Sequence, residues 1–476
     1  MAENIREIVL DTLLTMEREN QYSNRLIKAV LDKYNYLDMR DKAFIKRVTE
    51  GTVERKIELD YYLNQFSSVP VKKMKPLMRC LLRMSVYQLI YMDAVPDSAV
   101  CNEACKLAVK RKFGTLKGFT NGVLRNIARN KDKLSLPDES ENPVLYLSVK
   151  YSIPEWLVEH WMKEYGREIT PNILEGLLSI HPVSMRFRTD LSETEREGIL
   201  AQLQRQGVVC KKSAYLDYVY ELEHVDDLSR LAGFAEGKWT VQDISSALAV
   251  EAAMIRKEDF VVDVCAAPGG KSLMAAEKAK RVLSRDLTEE KAEKIRENRE
   301  RLQADNVEIQ VWDATIEDKE LTGSADVVLM DVPCSGLGIL GKKRDIKYHV
   351  GPKELRDLAE LQKKIVRTCI TYAKPGGTLI YSTCTINSGE NEEMVRFLTE
   401  ELGCSPVSLE EVLPEELIAL KKEIEEKKKA TGIIDLVQLS EKQQKACIQL
   451  LPGYMNSDGF FIAGFQKPLT NGSTNE

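Results

Sequence analysis

The chain has 476 residues, 43% of them hydrophobic and 30% charged, so it reads as a soluble globular protein of several domains rather than a disordered chain. No run of about 18 apolar residues occurs, which excludes a membrane-spanning helix, and the charged N-terminus lacks the apolar core of a leader. Ten cysteines without a paired CxxC point to a reducing cytoplasm, and away from disulfide scaffolds or any metal site.

The net charge of −6 hides an asymmetry. Residues 1–140 carry 25 Lys and Arg against 18 Asp and Glu, and residues 70–133 alone carry 14 against 4. Such a basic excess on an acidic protein suits a polyanionic partner, although a solvated helical face explains it as well. The first 133 residues have helical period throughout. In the opening segment Ile5, Ile8, Val9, Leu13 and Met16 form one stripe, and the pattern continues to Asn130 through short Pro, Gly and Asp breaks. Six or seven helices are expected, ending at the polar stretch Ser135–Pro143.

Residues 145–235 mix helical segments with short strand-like runs such as SMRFRTDL and GVVCKKSAYLDYVYELE, which predicts a small α+β module. From about residue 236 the rhythm changes again. FVVDVC, RVLSRD, VEIQVWD, ADVVLMD and GTLIYSTC are apolar runs ending in Asp or Cys and alternating with helices. That is the pattern of a parallel, doubly wound sheet. Residues 415–430 read as a charged helical insertion with a solvated face, and the polar end of the chain as a loose tail.

In such sheets ligands bind at the carboxyl ends of the strands. The first strand runs into Asp263-Val-Cys-Ala-Ala-Pro-Gly-Gly-Lys271, whose small residues let the backbone turn tightly against a ligand. A phosphate-binding P-loop is excluded, because Cys265 stands where its first glycine is required and Pro268 removes an amide. The next strands end in Asp286, Asp313 and Asp331. Two thiols also end strands, in Asp331-Val-Pro-Cys334 and Ser382-Thr-Cys384. A lone buried cysteine is more often a small core hydrophobe, but this pair should face one cleft. Cys80, Cys101, Cys105, Cys210, Cys369, Cys404 and Cys447 take the core reading, although Cys101 and Cys105 could share a helix face.

These motifs closely resemble the S-adenosylmethionine-dependent RNA cytosine-5 methyltransferases of the RsmB/NOP family, over about residues 236–467. The resemblance implies a Rossmann-like catalytic domain. Its donor would lie against Cys265, Ala266, Ala267, Pro268, Gly269, Gly270 and Lys271, with Asp286 at the ribose, Asp313 at the adenine and Asp331 nearby. Cytosine C5 is too weak a nucleophile to take a methyl group unaided, so a thiolate must first add to C6. By resemblance Cys384 is that nucleophile, Cys334 assists elimination and product release, and Asp331 bonds the cytosine N3/N4 edge. Lys271 is a candidate for favouring the thiolate. Trp239–Ser246 and Asp458-Gly-Phe-Phe461 also match the family, the latter as a final edge strand, and Arg344-Asp-Ile-Lys347 is placed to touch RNA phosphates. Two departures are Thr385, where serine commonly follows the cysteine, and His181–Arg186, which replaces an Asn-containing stretch.

The helical segment resembles NusB, an RNA-binding bundle. The whole resemblance therefore implies an all-α NusB-like domain at 1–140, a ferredoxin-like RNA-binding module at 141–235, the methyltransferase domain at 236–467 and a flexible tail at 468–476. It implies a cytoplasmic monomer acting on one cytidine of 16S rRNA, unassembled or partly assembled and unstacked to reach the thiol. Two alternatives stay open: the same chemistry on tRNA or another RNA, and a non-catalytic RNA-binding assembly factor.

Overall fold

Seven helices, Ile5–Glu19, Ser23–Lys33, Met39–Glu54, Lys56–Phe66, Pro76–Tyr91, Asp97–Lys110 and Lys117–Arg129, follow one another where the sequence shows helical period. Their ends carry local signals. Asp38 caps the third by accepting from the Asp41 amide at 2.8 Å, and proline opens the fifth. That fifth helix is the hub of the bundle. It buries Met78, Leu81, Leu82, Met84, Val86 and Leu89, and its Arg83 forks onto Asp60 at 2.6 and 2.7 Å.

The computed structural model describes residues 4–19, 22–179, 182–225 and 227–469, so residues 470–476 of the expected tail lie outside the described residues, as does His181. Two compact units divide the chain: Met1–Pro171 with Leu340–His349, and Asn172–Ile339 with Val350–Glu476. Within the first unit the segment after the bundle packs onto it. The Ile57 amide donates to Ser152 Oγ at 2.9 Å, just past the helix Pro143–Tyr151. The first unit also takes in a distant piece of chain. Arg344 pairs with Glu50 and Glu54 at 2.8 and 2.9 Å, Lys347 Nζ donates to the Glu54 carbonyl at 2.8 Å, and Asp345 accepts from the Ser23 amide. Lys347 is thus buried with its ammonium on a carbonyl, whereas Arg344, though paired, keeps 30% of its side chain exposed.

The second unit holds two sheets. The smaller pairs β1 (Val183–Phe187), β2 (Val209–Lys212), β3 (Val219–Glu223) and β4 (Trp239–Val241), all antiparallel, in the order β2-β3-β1-β4. The helix Glu193–Arg205 opens with a Ser192/Glu195 capping box, and Met185, Phe187, Leu203, Leu222 and Trp239 form the core beneath. Arg186 is fully buried, bonded to Gln242 at 2.6 Å and paired with Glu277 at 2.8 Å.

The larger sheet contains β5 (Phe260–Asp263), β6 (Arg281–Asp286), β7 (Val307–Val311), β8 (Ala325–Asp331), β9 (Ala373–Thr383), β10 (Ser405–Pro406), β11 (Cys447–Leu450) and β12 (Phe460–Gln466). Its order is β10-β12-β9-β8-β5-β6-β7, with β11 also on β12. The strands β5 to β9 are mutually parallel, but β12 runs antiparallel to β9, β10 and β11. The expected purely parallel sheet is therefore mixed. Nor is β12 an edge: it is paired on both sides, which suits the complete burial of Phe461, Ile462, Ala463 and Phe465. Among the described residues no helix is long and apolar enough to cross a membrane.

Candidate active site

The strand order reverses direction between β5 and β8, so their carboxyl ends open the crevice in which doubly wound sheets bind ligands. The register of β8 on β9 does the rest. Asp331 lies opposite Ser382, so three residues beyond one and two beyond the other the chain carries a thiol. Cys334 Sγ and Cys384 Sγ stand 3.2 Å apart. The two loops are tied by the Gly338 amide, which donates to the Cys384 carbonyl at 3.0 Å. Gly338 must be glycine here, because a Cβ would meet the Gly459 carbonyl oxygen at 1.9 Å.

Beside the thiols lies an ion pair. Lys271 Nζ donates to Asp331 Oδ2 at 2.7 Å and sits 5.2 Å from the centre of the Phe460 ring. Asp331 Oδ1 accepts from Ser382 Oγ at 2.9 Å. Lys271 is nearly buried, yet its pKa is raised: desolvation opposes the charge, and Asp331, Asp263 and Cys384 together outweigh it. Burial and a hydrogen bond act the other way on Cys334. Its thiol is pushed well up, first by the bond with Cys384, then by desolvation and the charges of Cys384 and Glu390. Burial likewise pushes the Cys265 thiol well up, which suits a packing role in the loop.

The residues expected at a donor site lie at the carboxyl ends of β5, β6, β7 and β8. The loop Cys265–Gly269 turns by a Gly269 amide bond to the Ala266 carbonyl at 2.7 Å, with Gly269 at φ 103°. Asp286 is 3% exposed and already engaged: Oδ2 accepts from the Ala267 amide at 2.9 Å, and Oδ1 from the Leu287 amide and Lys291. Asp313 caps the next turn through Oδ1, which takes the Thr315 amide and hydroxyl, while Oδ2 takes part in neither bond. Deeper in, Asp263 accepts from Ser272 at 2.6 Å through Oδ2, and its Oδ1 is buried without a partner. Burial raises that carboxyl to about 6.

A second tier of residues carries no motif that the sequence reading used. Glu390 and Asn391 follow the Thr-Cys loop. Asn391 accepts from Thr383 Oγ1 at 2.6 Å and donates to the Thr385 carbonyl at 3.1 Å, bracing Cys384 on both sides. Glu390 does the same for the loop of Cys334, through Ser335. Neither belongs to a periodic pattern that marks it in advance.

Residues 251–466 match the family described as 16S rRNA methyltransferase RsmB/F, residues 3–129 match the NusB family, and residues 153–226 match the ferredoxin-like domain of RsmF/B-type methyltransferases. A probable ribosomal RNA small subunit methyltransferase B of Bacillus subtilis is 34% identical, over 98% of this chain and 99% of its own. The chain belongs to this family. A Proteus mirabilis ribosomal RNA small subunit methyltransferase B is 30% identical, over 75% of this chain and 82% of its own. Among solved structures, PH0851 superimposes with a TM-score of 0.74 at 20% identity, covering 98% of this chain and all of that one. NSun6 from Pyrococcus horikoshii, solved with SFG, gives 0.53 at 19% identity, over 67% of this chain and 99% of its own. The three-part architecture is thus that of a NusB-like bundle, a ferredoxin-like module and a Rossmann-like methyltransferase fold. The protein is an rRNA methyltransferase, and S-adenosylmethionine is its cofactor.

Proposed function

We propose that this chain methylates C5 of one cytidine in 16S rRNA through a covalent bond between Cys384 and C6 of the base. The observation that carries the reading is the pair of sulfurs 3.2 Å apart, beside the Lys271–Asp331 ion pair, at the carboxyl ends of β8 and β9.

The loop Cys265–Lys271 with Asp286, Asp313 and Asp331 would hold the methyl donor. The buried, unpaired Oδ1 of Asp263 and the spare Oδ2 of Asp313 are acceptors of the kind its polar groups need. When bound, S-adenosylmethionine supplies an electrophilic methyl group. The protein's own part begins with Cys384. Its thiolate adds to C6, pushing electron density onto C5, which makes that carbon nucleophilic. Lys271 places positive charge beside the sulfur, and Asp331 accepts from the exocyclic amino group, holding the ring edge. After transfer the C5 proton leaves to a base, the Cys384–C6 bond breaks, and the 5,6 double bond returns. Cys334 is within reach of the departing sulfur and assists that elimination.

A target base inside a stack cannot reach a thiol in this crevice, so a loop or bulge of 16S rRNA, unassembled or partly assembled in the cytoplasm, is the substrate. The exposed lysines and arginines of the NusB-like bundle supply the sequence-independent attraction. The test is labelled-methyl transfer to naked 16S rRNA, 23S rRNA and tRNA in parallel, followed by nucleoside analysis. Label in 5-methylcytidine from 16S rRNA alone is the expected result. Label in tRNA would keep the chemistry and overturn the substrate. Label in no RNA, assembled subunits included, would favour an RNA-binding assembly factor.

A further inference from the structure

The two thiols are chemically alike and in contact, yet the reaction needs them to differ: one must ionise and attack while the other remains available to assist. Proximity alone does not sort them. The answer lies in a carboxylate that no motif singled out.

Glu390 is fully buried, and four neutral donors hold its side chain. Oε2 accepts from the Ser335 amide at 2.8 Å and from Gln362 Nε2 at 2.9 Å; Oε1 accepts from Ser335 Oγ at 2.5 Å and from Asn387 Nδ2 at 3.0 Å. Ser335 is the residue after Cys334. Its hydroxyl also meets Thr385 Oγ1, on the residue after Cys384, at 2.8 Å. One carboxylate therefore pins the first cysteine loop and, through a single hydroxyl, joins it to the second. The backbone of Glu390 is fixed in turn, its carbonyl accepting from Tyr381 OH at 2.6 Å.

We propose that Glu390 is a positioning residue for the two-thiol site: its buried carboxylate locks the cysteine loops together and, by its charge, assigns the thiol role to Cys334 and leaves the thiolate role to Cys384. The inference rests on the two-cysteine reading of the reaction and adds what makes the cysteines unequal. Burying a charge is costly unless it is well bonded. The four donors offset that cost without cancelling the negative charge, whose field acts on the neighbouring sulfur. Among the described residues Cys384, Glu390 and Tyr381 act on Cys334, and the Lys271 ammonium, paired with Asp331, acts on Cys384. The site is thus polarised, negative behind one sulfur and carrying an ion pair beside the other.

The experiment follows carbamidomethylation of Cys334 by iodoacetamide against pH, reading its peptide by mass spectrometry, in Cys384→Ala and Cys384→Ala/Glu390→Gln proteins. Removing the charge should shift the labelling midpoint to lower pH, with roughly tenfold faster labelling at a fixed pH on the rising limb, which corresponds to about one unit. Glu390→Asp keeps the charge and should stay near the parent profile. Gln362→Leu removes a donor to the carboxylate and should move the midpoint upward, which keeps the test open if the Gln variant fails to melt cooperatively. Superimposable profiles across the set would overturn the proposal. In the Cys384-containing protein, Glu390→Gln should lower kcat for methyl transfer and, because covalent RNA adduct accumulates, lower the apparent KM for RNA with it. The labelling experiment needs neither RNA nor methyl donor, so its outcome is separate from that of the proposed reaction.

Discussion

Two sulfurs in contact make the roles of Cys384 and Cys334 separable by substitution, because each role leaves a different residue of the reaction behind. Cys384→Ala removes the group that bonds to C6, so neither turnover nor a protein–RNA adduct should form. Cys334→Ala leaves the attack intact and removes the assistance to elimination, so turnover should fall while adduct accumulates on denaturing gels. Adduct from the Cys384 variant, with none from the Cys334 variant, would exchange the two roles. Asp286 is the corresponding test on the donor side. Its carboxylate already takes three donors, among them the half-exposed Lys291, so a ribose hydroxyl has room to bond only where a lone pair remains or Lys291 yields. A hydrogen bond to a charged group contributes about 1.5–3 kcal/mol. Asp286→Ala should therefore weaken S-adenosylmethionine binding roughly ten- to hundredfold by calorimetry, whatever RNA is used; unchanged binding would remove Asp286 from the donor site.

Among the elements, what was legible followed from local chemistry, and what was not came from partners distant in sequence. The strands β5, β6 and β8 could be read as short runs of Val and Leu because they are buried on both faces, and the strand-end aspartates came with them. The register that sets Asp331 against Ser382, and with it the sulfur distance, has no trace in either strand alone. Burial of Phe461 and Phe465 likewise does not say on which side a strand is paired, which is why β12 reads as an edge and is not one. Glu390 looks like any acidic residue in a polar stretch until Ser335, Gln362 and Asn387 gather around it. The segment Leu340–His349 shows the same limit, since its anchors Glu50 and Glu54 lie about three hundred residues away. Its Lys347 has a measurable consequence. Burial lowers this ammonium to about 7, with Glu54 only partly opposing. The unfolded chain, with an ordinary lysine, then binds more protons than the folded one from about pH 7 up to the ordinary lysine value, so this residue's contribution to stability rises with pH across that window. The melting temperature of the wild type should rise relative to Lys347→Met between pH 7 and 9.5. Parallel curves for the two proteins would place an unshifted lysine at this position.

For the whole molecule the acidic total conceals where a polyanion must be met. Of the basic excess in residues 70–133, part is neutralised within the fold: Arg83 is held by Asp60, Lys110 and Arg111 by Glu7 and Asp11, and Lys131 by Asp97. Lys112, Lys117, Arg125 and Arg129 are exposed and enter none of these pairs, and the last three share the helix Lys117–Arg129. Lys72, Lys73, Lys75 and Lys133 are exposed and in no such pair as well, and exposed charges of this kind are the ones expected to release counterions when RNA binds, each phosphate neutralised steepening the fall of affinity with salt. Substituting Lys117, Arg125 and Arg129 together by Glu should weaken binding to 16S rRNA fragments severalfold at physiological salt and flatten the slope of log affinity against log salt by about two to three. The substitutions touch no part of the thiol crevice, so kcat at saturating RNA should stay near the wild-type value while KM rises. A lowered kcat with unchanged RNA affinity would mean that the helical bundle acts on the catalytic step instead of gripping substrate. An unchanged salt slope would make these charges a solvated face, the reading that composition alone left standing.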